Sequence, residues 1–192
     1  GNGYKENDYY SGYLTIYKSD GASDYHVYVK ASGGSYQQLD SMLIRQYPDR
    51  FRADAVGLAA GSYVMKIVPV ISGKEDDSKA AETAVLKVEA HDRSGFGFVD
   101  GTSSVYVTDA NKDTVPATIN ITGKGEETAV GVQKIIEGYK KKKETRPLCL
   151  RFIGNITDPA NMPKGDLMID TVVAGITVEG IGTDTVFNGF GL

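Results

Sequence analysis

The sequence predicts a mainly β protein: an antiparallel β-sandwich, then one helix, then short strands stacked as in a parallel β-helix. Three observations carry that prediction. The first half holds strand-length runs with the period-2 alternation of half-buried strands, broken by Gly-, Ser- and Asp-rich turns. Only one stretch, about Thr128–Lys143, has a helical period. Beyond it, short apolar runs punctuated by glycine recur at a spacing of about 25 residues, which is how solenoid coils repeat.

In order along the chain, strands are expected at Gly12–Lys18, Tyr25–Ala31, Arg50–Val56, Gly61–Ile71 and Ala84–Ala90. In the second of these, Tyr25, Val27 and Val29 share one face, and His26, Tyr28 and Lys30 share the other. Tyr63–Val70 is largely apolar on both faces, as a central strand packed on a core would be. Residues 41–48 (SMLIRQYP) fit a strand or a single helical turn stopped by Pro48, and read as an irregular connection. Residues 1–92 therefore form the expected sandwich, and 93–104, rich in Gly and Ser, a linker.

The second domain, 105–192, is expected to open with strands at Val105–Thr108 and Thr118–Ile121. In the helix, Val132, Ile135, Ile136 and Tyr139 fall at i, i+3, i+4 and i+7. Glu126 and Glu127 at its start and Lys140–Lys143 at its end suit the helix dipole, and Pro147 bars continuation. Strands are then expected at Leu148–Ile153, Leu167–Ile169, Gly175–Gly180 and Val186–Leu192.

Composition excludes several function classes. A chain of 192 residues that is 41% hydrophobic and 24% charged is not dominated by disorder. Its 21 basic and 25 acidic residues give a net charge of −4, which argues against nucleic-acid binding. No apolar run is long enough to span a membrane as a helix. The single cysteine, Cys149, cannot form an internal disulfide.

Candidate chemistry is sparse. His26 and His91 stand on different elements without neighbouring ligands, whereas zinc needs three or four that converge. Glu75, Asp76 and Asp77 offer hard oxygen ligands but lack calcium-loop spacing, and read as a solvated turn. Asp109, Asn111 and Asp113 alternate like the start of a calcium loop, yet lack its Gly and distal Glu. Lys140–Lys143 could attract a polyanion, although a helix C-terminus explains them. Tyr9, Tyr10, Tyr13 and Tyr17 could stack on sugars or pack on the sandwich. Arg151 alternates with Cys149 and Ile153 on one strand face, as a buried ion-pair partner or a substrate contact. Gly180, Gly182, Gly189 and Gly191 mark close turns, not a phosphate loop.

The stretch 175–192 (GITVEGIGTDTVFNGFGL) resembles the early-coil signature of the pectate lyase family. Leu150–Ile156 followed by Thr-Asp-Pro, and the amphipathic helix before it, are similar to that family's opening coil and cap. Residues 52–74, through Arg52–Leu58, Ala59–Tyr63, Val68–Val70 and Ser72–Lys74, resemble the fibronectin type III-like module that precedes some secreted bacterial pectate lyases. The resemblance implies a right-handed parallel β-helix, secretion to the periplasm, cell surface or medium, a monomer, and β-elimination of polygalacturonate. It also implies Ca²⁺ as the parent's cofactor and an Arg as its base. Both belong to later coils, so no catalytic, cofactor-binding or metal-binding residue is assigned in this chain. The rival expectation is a non-catalytic cell-surface module that binds polysaccharide or protein.

Overall fold

The computed structural model describes residues 12–90, 103–140, 144–172 and 174–192. The chain divides into two compact units, Gly1–Asp92 and Arg93–Leu192.

The described part of the first unit contains β1 (Gly12–Ile16), β2 (Ala22–Ala31), β3 (Gln37–Gln38), β4 (Ile44–Gln46), β5 (Phe51–Ala55), β6 (Gly61–Ile71), β7 (Lys74–Glu75), β8 (Ala81–Glu82) and β9 (Leu86–Val88). One sheet runs β1-β5-β4. The other runs β3-β2-β6-β7, with β8 and β9 also paired to β6. Every pairing in both sheets is antiparallel. Leu14, Ile16, Phe51 and Ala53 of the first sheet share one core with Tyr25, Val27, Met65 and Leu86 of the second. Tyr25 and Phe51 meet edge to face there, with centroids 5.0 Å apart. The expected alternation in β2 is present, since Tyr25 and Val27 are buried while His26 and Tyr28 keep partial exposure. Residues 41–48 hold both alternatives in sequence: a 3₁₀ turn at Ser41–Leu43, then β4. Asp40 caps that turn by accepting from Met42 N–H at 3.0 Å.

The second unit contains β10 (Ser103–Thr108), β11 (Pro116–Ile121), β12 (Gly125–Val130), α1 (Val132–Glu137), β13 (Leu148–Thr157) and β14 (Ile176–Asn188). Strands β10, β13 and β14 form a three-stranded parallel sheet, and β11 and β12 an antiparallel hairpin. Register stacks like on like: Val105, Leu150 and Val178 lie side by side. The sheet's apolar face packs Val107, Leu148, Leu150 and Phe152 against Ile119 of the hairpin and Ile135 and Ile136 of α1. The repeating part is thus a small parallel sheet.

Three expectations in this unit are corrected. The helix is only Val132–Glu137, and Gly125–Val130 pairs as β12 with β11. Gly131 separates them at φ +89°, outside the helical region, and the preceding Thr128 and Val130 are β-branched. Val132, Ile135, Ile136 and Tyr139 do face the core, so the apolar spacing was real but belonged to a much shorter helix. Leu167–Ile169 forms no strand; Leu167 is buried and its N–H donates to the Gly191 carbonyl at 3.0 Å. Likewise Val186–Asn188 ends β14, and Gly189–Leu192 lies beyond it.

Candidate functional site

The parallel register brings a polar row together on the face of the sheet turned away from the core cluster. Tyr106 of β10, Arg151 of β13 and Glu179 of β14 are side by side. Arg151 Nε donates to Glu179 Oε2 at 2.9 Å, and a terminal guanidinium nitrogen donates to Tyr106 Oη at 2.7 Å. Cys149, two residues before Arg151, donates Sγ–H to the same Glu179 oxygen at 3.4 Å. Arg151 is buried, and its pairing makes it the ion-pair partner among the two alternatives the sequence leaves open. Burial pushes the Cys149 thiol up to about 11, and the Glu179 carboxylate adds to this. A thiol so protonated is a poor nucleophile at neutral pH. Beside the row, Phe152, Glu179, Thr183, Thr185 and Phe187 line a cleft of about 370 Å³.

Sequence reading named Arg151 and Cys149 but missed Tyr106 and Glu179. The available signal was the repeat itself. Aligning Leu150–Gly154 with Val178–Gly182 puts an acidic residue beside Arg151.

The alternating oxygens after β10 do not converge on a cation. Asp109 Oδ1 accepts from Lys112 Nζ at 2.8 Å and from Thr157 N–H and Oγ1–H at 2.8 and 2.9 Å. Lys112 also donates to the Thr157 carbonyl. Burial disfavours the Asp109 anion, but these donors hold its pKa below the ordinary value. Asn111 Oδ1 accepts from Thr108 N–H at 2.6 Å, and Asp113 Oδ1 from Ala160 N–H at 2.7 Å. The loop is a staple between the ends of β10 and β13, with its own ammonium as counterion.

In the first unit, His26 Nδ1 lies 2.6 Å from Glu75 Oε1, which also accepts from Tyr28 Oη at 2.5 Å. The Tyr28 bond comes first among the influences that lower the Glu75 pKa. The same bond pushes the Tyr28 phenol up to about 12. Asp76 instead caps a 3₁₀ turn, accepting from Ser78 N–H at 3.1 Å. The acidic run therefore divides between a sheet face and a cap.

The remaining candidates are dispersed. Lys140 pairs with Asp170 at 2.8 Å, whereas Lys141–Lys143 lie outside the described residues. So do His91, Tyr9 and Tyr10. Tyr13 carries the Arg52 guanidinium over its ring at 3.9 Å, and Tyr17 is exposed. Gly182 and Gly189 take positive φ, while Gly180 lies close against Thr185. Among the described residues, no group of three or more His, Cys, Asp or Glu is placed to hold a metal. No described helix is long and apolar enough to cross a membrane. No protein-family model matches the chain, and no curated protein matches it.

Proposed function

We propose that the chain is the front part of a secreted pectate lyase-like protein, in which a fibronectin type III-like sandwich precedes the opening coils of a right-handed parallel β-helix. The carrying observation is the in-register parallel stacking of β10, β13 and β14 around an apolar face. A solenoid grows by adding such strands, each burying its face against the last. The short helix α1 packs on that same core, as a cap would. Sequence resemblance at 150–156 and 175–192 falls on the two strands concerned, β13 and β14.

The parent reaction on this reading is β-elimination of polygalacturonate. The alternating run Asp109, Asn111 and Asp113 does not fit a Ca²⁺ site, since an Oδ1 of each accepts from Lys112 or from a separate backbone N–H. No step through Ca²⁺ is therefore assigned to this chain. Its own contribution is scaffold: the Tyr106–Arg151–Glu179 row ties three neighbouring strands in register.

The test is incubation with polygalacturonate and Ca²⁺, followed by ultraviolet absorbance of the unsaturated product. The 192 residues alone yield none, and a chain extended beyond Leu192 yields it. An extended chain that is folded and gives no product overturns the lyase reading.

A further inference from the structure

Among the described asparagines, Asn188 alone is followed by glycine. Asn111, Asn120, Asn155 and Asn161 precede Lys112, Ile121, Ile156 and Met162, whose side chains crowd the next backbone nitrogen. Asn111 is held besides, with Oδ1 accepting from Thr108 N–H at 2.6 Å and Nδ2 donating to the Tyr106 carbonyl at 3.0 Å. Asparagine is one of the chemically labile side chains, and its lifetime depends on whether the following backbone nitrogen can reach its side-chain carbonyl. Glycine hinders that approach least, because it has no Cβ.

The structure leaves the approach open at Asn188. This residue closes β14 and is exposed, and Gly189 is exposed just beyond the strand. The last ladder pair joins Asn188 to Thr157, so Gly189 lies outside the ladder. Gly189 takes φ +83°, with nothing within 4 Å of the position a Cβ would occupy. Among the described residues, neither the Asn188 side chain nor the Gly189 N–H has a hydrogen-bond partner. Electrophile and nucleophile are thus adjacent, solvated and unheld.

We propose that Asn188 is a site of spontaneous, non-enzymatic deamidation, and that its isoaspartate product releases the segment leading out of β14. The Gly189 nitrogen attacks Asn188 Cγ. A C–N bond forms there, and the bond from Cγ to Nδ2 breaks. Nδ2 leaves as ammonia, carrying the proton that Gly189 loses. Water then opens the cyclic imide. Cleavage at one carbonyl gives aspartate, and cleavage at the other gives isoaspartate, whose main chain is longer by one carbon. Either product adds a carboxylate that is ionised at neutral pH. The longer main chain displaces the residues that follow. Among them, Gly191 N–H donates to Asp166 Oδ1 at 2.7 Å, and the Gly191 carbonyl accepts from the buried Leu167 N–H at 3.0 Å. Both bonds depend on the spacing between Asn188 and Gly191.

Incubation of the full chain in mildly alkaline buffer tests this. Trypsin cleavage after Lys164 releases residues 165–192, in which Asn188 is the sole Asn or Gln. A gain in mass from –NH₂ to –OH in that peptide, relative to an unincubated sample, therefore reports Asn188. The folded chain converts within about tenfold of the rate of the isolated 165–192 peptide, a barrier difference of about 1.4 kcal/mol. No gain in the folded chain while the isolated peptide converts overturns the proposal, as does conversion only in urea. The aged wild type loses hydrogen-exchange protection at Leu167 and Gly191. Asn188→Asp, which adds the charge without lengthening the main chain, keeps that protection. Conversion with protection intact overturns the release of the segment. Equal loss of protection in Asn188→Asp overturns main-chain lengthening as its cause.

Discussion

Glu144 shows how much one residue can carry. It follows α1, and its side chain is buried. Burial by itself would raise its pKa. Arg146 opposes that, donating Nε and a terminal nitrogen to Oε1 at 2.9 and 2.6 Å, and only together with backbone donors does it outweigh burial. Backbone N–H groups of Asn120, Thr145 and Arg146 add to the effect, and the pKa falls to about 2. Folding thus stabilises the anion. The contribution is fully present above the ordinary value of 4.5 and is lost as pH falls through about 2. Its size is roughly 3 kcal/mol. Glu144→Gln should therefore destabilise the protein by about 2–3 kcal/mol at neutral pH, read from urea midpoints. The gap to wild type should close by about pH 2. A gap that stays constant between those limits would show that Glu144 acts through shape and not through charge.

At the scale of elements, the junction between β12 and α1 is decided by one glycine. Gly131 sits at φ +89°, and a Cβ there would meet the Asp113 carbonyl oxygen at 3.1 Å. Its N–H donates to the Val115 carbonyl at 2.8 Å, which anchors the junction to the start of β11. Gly123 in the β11–β12 turn has a similar φ of +80° but open space around its Cβ position. Comparing the two separates strain from crowding. Gly123→Ala should cost about 1 kcal/mol and Gly131→Ala about 2–3 kcal/mol in denaturant titrations. Equal costs would mean that the Asp113 carbonyl moves aside freely.

At the scale of the molecule, each unit has its own apolar cluster, and a change in one core should be felt within that unit. Met65 is fully buried between the two sheets of the first unit. Met65→Ala should remove about 2–5 kcal/mol from that unit. In calorimetry the result should be one thermal transition moving down by several degrees while the other stays. A single transition that shifts as a whole would mean the two cores melt as one cooperative body.

Local alternation was enough to read most of the first unit. Tyr25 and Val27 inward, with His26 and Tyr28 outward, follows from the two-residue period of a strand, and a shift of one residue would bury the wrong set. The same logic located β10 and β13 but split β14, one strand over Ile176–Asn188, into two strands at its glycines. Where periodicity was shared by two structures it failed. The apolar positions from Val132 to Tyr139 suit a helix of any length, and only the pairing of Thr118 with Thr128 shows that β12 stops it short. The polar sites lay further from reach. The charge partners of Arg151 and His26, Glu179 and Glu75, lie on other strands and are set by register and strand order. Sequence alone thus determined which residues face a core, since burial follows from short-range pattern. Tertiary structure decided which charges meet, since that depends on pairing between segments far apart in the chain.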